Sequence, residues 1–280
     1  NSGVMAIDGT RLRGLVERLD NRNAKNEFYL TDIVGIARKA DDVCAVIEAE
    51  EDELLGVNSR ADLAVAEAIM QTRLRAAAMA SGVTLADPSS VWLPWDTRLG
   101  QDVVIGPNVV FGPGVAVGDD VAIGPFCHLE GSEIGAGAAI GPFARLRPGT
   151  RIGRGARIGN FVEVKNSALG EGAKANHLAY LGDAAVGAGA NIGAGTITGN
   201  YDGFDKHRTS VGENAQIGSN SVLVAPVEIG PGAVIGAGSV VTRNVPPDAL
   251  ALARADETVK EGWAAKRRQM KDTKPKPGKG

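Results

Sequence analysis

The stretch GAGAAIGPFARLRPGTRIGRGARIG occupies residues 135–159 and decides the fold, because it repeats every six residues. Ile140, Leu146, Ile152 and Ile158 mark the period, and glycine follows three of them. An α-helix would need apolar residues at a spacing of about 3.6, and a single half-buried strand would show alternation alone. A six-residue period instead predicts short flat strands, each followed by a corner whose backbone geometry glycine permits.

The same period runs through the long middle of the chain, from about Leu99 to Val241, with three five-residue steps and one insertion. Three corners per coil give a triangular prism, so the 24 repeat positions make 8 coils whose inward side chains stack on one another. The pattern resembles the hexapeptide-repeat family, whose coils are left-handed. The predicted fold class is therefore mainly β, a left-handed parallel β-helix. The predicted inward positions are Leu99, Ile105, Phe111, Val117, Ile123, Leu129, Ile134, Ile140, Leu146, Ile152, Ile158, Val164, Leu169, Ala175, Leu181, Val186, Ile192, Thr198, Val211, Ile217, Leu223, Ile229, Ile235 and Val241.

Composition limits the classes of function. The 280 residues carry a net charge of −3, which is not the basic footprint of a nucleic-acid-binding protein. No apolar run reaches the ~18 residues of a membrane span, and we expect no signal peptide. Cys44 and Cys127 fit neither a metal site nor a disulfide framework, so we expect two reduced, buried thiols in a cytoplasmic protein.

Four segments are expected. Residues 1–58 read as the C-terminal remnant of an α/β domain, with strands at Val4–Ile7 and Val43–Ile47, a helix capped by Thr10 and another opened by Thr31. Residues 59–82 predict a long linker helix that Gly82 ends. Residues 83–263 form the β-helix, and residues 264–280 a disordered basic tail. Because the chain begins at Asn1 rather than Met, we expect a fragment of a longer protein.

Candidate functional residues lie where the repeat is interrupted, since loops and irregularities of a rigid scaffold carry function. His177 is the main candidate for a general base, because an unperturbed imidazole has a pKa near ~6.5. His128, in an ordinary coil, is expected to be structural, and His207, in the insertion, to be solvated. Arg147, Lys165 and Lys206 could together hold a phosphate, although alone they would be read as separate surface cations. The β-helix sequence has no metal-ligand spacing and no Walker or dinucleotide motif.

Five strings carry a resemblance: ARLRPG (144–149), GNFVEVKN (159–166), NHLAYLGD (176–183), NIGAGTITGNYDG (191–203) and KEGW (260–263). Together they resemble the bacterial bifunctional family of N-acetylglucosamine-1-phosphate uridyltransferase / glucosamine-1-phosphate acetyltransferase, over residues 1 to about 263. The resemblance implies a homotrimer with sites shared between subunits. It also implies transfer of acetyl from acetyl-CoA, as co-substrate, to the 2-amino group of glucosamine 1-phosphate, on the route to UDP-N-acetylglucosamine and peptidoglycan.

The resemblance assigns roles by position. It implies that His177 is the catalytic base. It places Arg147, Lys165 and Lys206 around the sugar phosphate, and Tyr180 and Asn191 on the sugar. Positions that contact acetyl-CoA or substrate are matched by Ala194, Asn200, Tyr201, Ser219, Ala237 and Arg254, and Trp263 matches one that stacks on the adenine end of acetyl-CoA.

The sequence departs from the family at its start, where the Gly-rich nucleotide-binding loop of the uridyltransferase half is missing. Asn1 and Asn58 match positions that touch the UDP-sugar, and Asn58 matches a Mg2+ position of the full-length enzyme. We therefore expect no uridyltransferase activity from this chain by itself. Two alternatives stay open: a hexapeptide acyltransferase acting on another amino sugar, and a non-catalytic β-helix scaffold that presents a trimer surface.

Overall fold

The computed structural model describes residues 3–272, so Asn1 and the end of the expected tail, residues 273–280, lie outside the described residues. The chain divides into two compact units, Asn1–Arg73 and Leu74–Gly280. Among the described residues, no helix is both long enough and apolar enough to cross a membrane.

The first unit is helical with a small core. Helix α1 covers Gly9–Val16 and helix α2 covers Asp32–Arg38, and a 3-10 turn follows at Glu51–Glu53. The two helices bury Leu15, Ile33 and Ala37 against each other. The predicted cap of α1 is wrong by two residues: Asp8, not Thr10, is the cap, and its carboxylate accepts a hydrogen bond from the Thr10 N–H at 2.8 Å.

The two strands predicted in this unit are absent from the described residues. Val4–Ile7 and Val43–Ile47 are not assigned to strands within residues 3–272, and Val43, Val46 and Ile47 are each at least 90% exposed. A strand needs a neighbouring strand for its backbone hydrogen bonds, so a strand-like composition does not by itself produce one. Cys44, predicted to be buried, is correspondingly only half-buried.

Helix α3 runs over Arg60–Ala80 in the segment predicted to form a long helix. Its start is a reciprocal cap: the Asp62 N–H donates to Ser59 Oγ at 3.1 Å, and Asp62 Oδ2 accepts from the Ser59 N–H at 2.9 Å. Gly82 follows the helix with φ +98°, a conformation that favours glycine.

The second unit is the predicted left-handed β-helix, and its strands form three parallel sheets. Sheet 1 contains β1 Thr84–Leu85, β3 Val104–Ile105, β6 Ala122–Ile123, β9 Ala139–Ile140, β12 Arg157–Asn160, β15 Lys174–His177, β18 Asn191–Ile192, β21 Gln216–Ile217, β24 Val234–Ile235 and β26 Leu250–Ala251. Sheet 2 contains β4 Val110–Phe111, β7 His128–Leu129, β10 Arg145–Leu146, β13 Glu163–Lys165, β16 Tyr180–Gly182, β19 Ile197–Gly199, β22 Val222–Val224 and β25 Val240–Val241. Sheet 3 contains β2 Arg98–Leu99, β5 Ala116–Val117, β8 Ser132–Ile134, β11 Thr150–Ile152, β14 Ala168–Leu169, β17 Ala184–Val186, β20 Thr209–Val211 and β23 Val227–Ile229.

The repeat positions form the core, as predicted. Of the 24 predicted inward positions, all except Leu99 are buried. Each pairs in register with its counterpart one coil away, for example Ile140 with Ile158 and Ile192 with Ile217. The parallel pairing begins before Leu99 with β1 and continues after Val241 with β26, and both strands lie within the expected segment 83–263.

The predictions for the C-terminal segment and for Cys127 have different outcomes. The segment expected to be a disordered tail from residue 264 is helical as far as it is described, in α4 Trp263–Asp272. Its sequence, WAAKRRQMKD, consists largely of good helix formers. The prediction of disorder rested on the basic charge of the segment and not on these helix propensities. Cys127 is buried in the β-helix as predicted, and this burial raises the pKa of its thiol.

The alternation of inward and outward residues makes a matched test of the core. Val103 is fully buried, and the adjacent Val104 is 47% exposed on the outer face of the same strand region. We expect Val103→Ala to lower the free energy of unfolding by about 2 kcal/mol, from lost burial and the remaining cavity. Val104→Ala should change it by less than about 0.5 kcal/mol. Denaturant unfolding at matched protein concentration measures both, and equal losses would contradict the assigned register.

Candidate active site

One line of residues crosses the corner between sheets 1 and 2. Three prolines and an asparagine occupy it before His177, and small residues occupy it afterwards. The strand registers place residues of successive coils directly above one another here. We call this line the histidine column; it consists of Pro107, Pro125, Pro142, Asn160, His177, Ala194, Ser219 and Ala237. Proline has no backbone N–H group. The small residues after His177 each have a backbone N–H, and their side chains are too short to cover the corner.

Three predicted acetyl-CoA residues, Ala194, Ser219 and Ala237, therefore lie along one corner on the C-terminal side of His177, and Arg254 contacts the last of them. The carbonyl of His177 accepts from the Gly195 N–H at 3.3 Å, and that of Ala194 accepts from Asn220 at 2.7 Å. Ser219 continues the line, and the carbonyl of Ala237 accepts from Arg254 Nη1 at 2.9 Å. Since adjacent coils are about 4.8 Å apart, Ala237 lies roughly 14 Å from His177. The line can receive an extended chain along the prism axis.

His177 is exposed at the end of β15, where it has one side-chain partner. Its Nδ1 lies 2.7 Å from Asn160 Oδ1, on the preceding coil. The other histidines are placed differently. His128 is exposed on β7, and His207, predicted to be solvated, is instead partly buried with Nε2 2.7 Å from Asp202 Oδ2.

Cationic side chains gather at the next corner, between sheets 2 and 3. Arg147 and Lys165 follow each other on adjacent coils there, and Lys206 reaches the same place from the insertion. We call these three residues the cation cluster. Contact with the Lys206 ammonium is the main cause of a lowered pKa at Lys165, and the charge of Arg147 adds to it. Arg147 also donates to Glu163 Oε1 at 2.8 Å. Two ammonium groups in contact form a site that an anion would stabilise.

A carboxylate held between two amides borders the cation cluster. Asp183 Oδ1 accepts from Asn166 at 2.6 Å, and its Oδ2 accepts from Asn200 at 2.5 Å. Desolvation alone would raise the pKa of Asp183, but these hydrogen bonds and the charges of Lys165 and Lys206 outweigh it and lower the pKa overall. Asp183 is therefore a fixed negative charge beside the cations.

Tyr180 reaches the same corner because Gly182 leaves room for it. A Cβ at Gly182 would lie 2.5 Å from the Tyr180 hydroxyl and 2.8 Å from the Asn200 amide nitrogen. Thr198, the one hydroxyl residue among the predicted inward positions, supports this strand from inside. Its Oγ1 accepts from the Gly182 N–H at 2.8 Å. β16 therefore departs from the regular repeat on its outer face, where Gly182 makes room for Tyr180, and on its inner face, where Thr198 bonds to the backbone.

The insertion between β19 and β20 is internally braced. Asp202 accepts backbone hydrogen bonds from Asp205 at 2.7 Å and Phe204 at 2.8 Å. These bonds, with the contact to His207, hold the pKa of Asp202 far below its usual range. Tyr201 pairs across the loop with Lys206, and its hydroxyl donates to the Gly203 carbonyl at 2.7 Å. These contacts within the insertion place Lys206 at the β-helix surface, beside Lys165.

Other predicted residues are not in these two groups. Asn191 lies on the outer face of sheet 1, and Trp263 begins α4, where Arg267 lies 5.0 Å from its ring. Asn58 precedes α3 in the first unit, and Asn1 lies outside the described residues. Within residues 3–272, no three His, Cys, Asp or Glu side chains form a group that could hold a metal ion.

Three residues of the site were not predicted, namely Asn160, Asn166 and Asp183. All three lie in the quoted strings. Asn160 contacts His177 and Asp183 contacts Asn200, each across one coil or 17 residues, and Asn166 contacts Asp183. A search at the coil length, rather than at the six-residue period, would have paired them with their partners.

Comparisons with known proteins agree with the repeat and extend it. A model of the bacterial transferase hexapeptide family, described as six repeats, matches residues 96–131, 131–166 and 208–243. A bifunctional protein GlmU of Paramagnetospirillum magneticum is 61% identical over 98% of this chain and 61% of its own length. That of Rhodospirillum rubrum is 62% identical over 95% of this chain and 60% of its own length.

Among solved structures, LpxA from Acinetobacter baumannii is 17% identical, with a TM-score of 0.44 over 65% of this chain and 76% of that one. This likeness is too distant to bear on the site. The chain spans about three fifths of the length of the curated relatives it matches. Over that length, the chain is similar to the bifunctional GlmU proteins, and its matched segments are similar to bacterial transferase hexapeptide repeats.

Proposed function

We propose that this chain is a glucosamine-1-phosphate N-acetyltransferase that uses acetyl-CoA as co-substrate and His177 as general base. The observation that carries the proposal is the cation cluster, in which Lys165 and Lys206 are in contact beside Arg147. A phosphate monoester would neutralise these charges, whereas a neutral amino sugar would leave them opposed. The acceptor is therefore proposed to be a phosphorylated amino sugar rather than a neutral one.

The proposed chemistry is a direct transfer. His177 takes a proton as the 2-amino nitrogen attacks the thioester carbonyl carbon, so a C–N bond forms. The C–S bond then breaks, and the leaving thiolate takes up a proton to give coenzyme A. Within the described residues, the Ala194 N–H donates no hydrogen bond, and it lies one coil from His177. We assign it to the developing oxyanion in preference to Ser219.

The placement of the residues supports a homotrimer with sites shared between subunits. Asn191 is on the outer face of sheet 1, while Tyr180 and the cation cluster belong to sheet 2 and its far corner. Two faces of a triangular prism point away from each other. A single chain therefore cannot close both around one sugar, and a neighbouring copy has to supply one of them.

The longer parent would also carry uridyltransferase activity and would work in the cytoplasm on the route to UDP-N-acetylglucosamine and peptidoglycan. That second activity is expected to use Mg2+, for which the described residues of this chain offer no fitting donor set. Asn58, the one matched position, engages Asp62 through its backbone N–H at 3.0 Å. We therefore derive no step through a metal.

The first prediction concerns the base. The unmodified chain should acetylate glucosamine 1-phosphate, with coenzyme A release followed by a thiol reagent. His177→Ala should lower kcat roughly a hundred- to ten-thousandfold, the range for loss of a general base. His128→Ala is the matched control, because His128 is exposed on β7 away from the histidine column. Near-normal turnover by His177→Ala would refute the assignment.

The acceptor is tested in the same assay with glucosamine 6-phosphate and UDP-glucosamine as competitors. We expect glucosamine 1-phosphate to be favoured. Preference for another amino sugar would support a different hexapeptide acyltransferase, and no transfer to any acceptor would support a non-catalytic scaffold.

The second prediction concerns the cation cluster. Lys165→Met should raise the KM for glucosamine 1-phosphate by roughly tenfold or more, as expected for loss of a charge-assisted hydrogen bond. The KM for acetyl-CoA should not change. Lys39→Met, an exposed substitution in the first unit, is the control. If the KM for unphosphorylated glucosamine rises equally, Lys165 does not bind the phosphate.

The third prediction concerns the shared site. Asn191→Ala and Lys165→Met chains, mixed within trimers by co-expression, should be more active than the mean of the two separate preparations. Mixed trimers contain interfaces in which both contributing faces are unmodified. Activity equal to the mean would place Asn191 and Lys165 in the same single-chain site.

A further inference from the structure

We infer that Asn160 is a positioning residue that holds His177 with its proton on Nδ1 and so leaves Nε2 as the basic nitrogen. The inference rests on the proposed function, because it assigns the tautomer of the proposed base. Its starting observation is the 2.7 Å contact between Asn160 Oδ1 and His177 Nδ1.

The backbone fixes this contact. Strands β12 and β15 are four residues long, whereas the other strands have two or three, and their pairing continues through Asn160 and His177. The Leu178 N–H also donates to the Asn160 carbonyl at 3.0 Å. Asn160 and His177 are thus neighbours on adjacent coils, about 4.8 Å apart along the prism axis.

Gly159 is needed for the coils to approach at this point. A Cβ on Gly159 would lie 1.9 Å from the Asn176 carbonyl oxygen, closer than any side chain can be accommodated against backbone. The residue before Asn160 therefore lacks a side chain, and the next coil packs directly on its backbone. The distance between the Asn160 and His177 side chains follows from main-chain packing rather than from a flexible loop.

The chemistry of the pair sets the tautomer. An amide oxygen only accepts hydrogen bonds, so the ring nitrogen that faces Oδ1 must carry a hydrogen. In a neutral imidazole, the other nitrogen then has the free lone pair. Within the described residues, His177 Nε2 has no hydrogen-bond partner, so it is available to take a proton.

An amide has a different effect from a carboxylate. An aspartate in this place would add a negative charge and stabilise the imidazolium, as in hydrolase triads. Asn160 orients the ring without that charge. A neutral imidazole is the form that can accept the proton of the acceptor amine.

The tautomer is measured directly by NMR of the full chain labelled with 15N-histidine. The chain has three histidines, and His177→Gln identifies the signals of His177. Above the pKa of the ring, we expect a protonated Nδ1 and an unprotonated Nε2. A signal pattern with the proton mainly on Nε2 would overturn the inference.

Kinetics tests the consequence for the reaction. Asn160→Ala should lower kcat roughly tenfold, the scale of one hydrogen bond, without raising the KM for either substrate. Asn160→Asp restores an acceptor opposite Nδ1 and should recover part of the loss. An unchanged kcat in Asn160→Ala, or no recovery in Asn160→Asp with a folded protein, would overturn the positioning role.

Asn244→Ala is the matched control, since Asn244 Oδ1 also accepts across coils, from the Glu228 N–H at 2.9 Å, far from the histidine column. It should leave both the kinetics and the tautomer unchanged. Failure of the unmodified chain to acetylate any amino sugar phosphate would refute the proposed function. The wrong tautomer in an active chain would refute the role of Asn160 alone.

Discussion

The constraint on which the rest of the structure depends is the hydrogen-bond ladder that joins each coil to the next at about 4.8 Å. Because every coil pairs in parallel with its neighbours, a residue is held above its counterpart through the whole stack. Inward positions are then filled almost entirely by apolar side chains, and the hydroxyl of Thr198 is accommodated by its hydrogen bond from the Gly182 N–H. The same ladder lines up His177, Ala194, Ser219 and Ala237 at one corner.

The sequence was sufficient to predict the β-helix because its period and its packing are the same property. A side chain such as Ile140 recurs because its counterpart Ile158 needs a partner of similar shape above it. The first unit has no repeat, so its sequence does not show which segments pack against each other. Val43–Ile47 has the composition of a strand but lacks a strand to pair with, and pairing is what its sequence alone could not supply. The local sequence pattern was sufficient to predict the helices α2 and α3. Whether Val43–Ile47 forms a strand depends instead on tertiary contacts.

The candidate site divides in a similar way. His177, Arg147, Lys165 and Lys206 were found because they interrupt a regular pattern. Asn160 begins a stretch that interrupts the pattern, but the sequence does not show its partner, and Asp183 occupies a corner, where amides and carboxylates are common. Their importance comes from the coil above or below, which brings residues about 17 apart into contact. Such contacts follow from coil length, and coil length varies with each five-residue step and with the insertion.

The contact between Lys165 and Lys206 has a consequence for the energetics of ligand binding. Lys206 lowers the pKa of Lys165. Without a bound anion, Lys165 therefore releases its proton at a lower pH than an isolated lysine would. A bound anion favours the charged form and draws that proton back. Between the two pKa values, anion binding is therefore linked to proton uptake, and affinity falls as pH rises through that window. The heat of binding should then depend on the ionisation enthalpy of the buffer, so that calorimetry reads out the cation pair without any turnover.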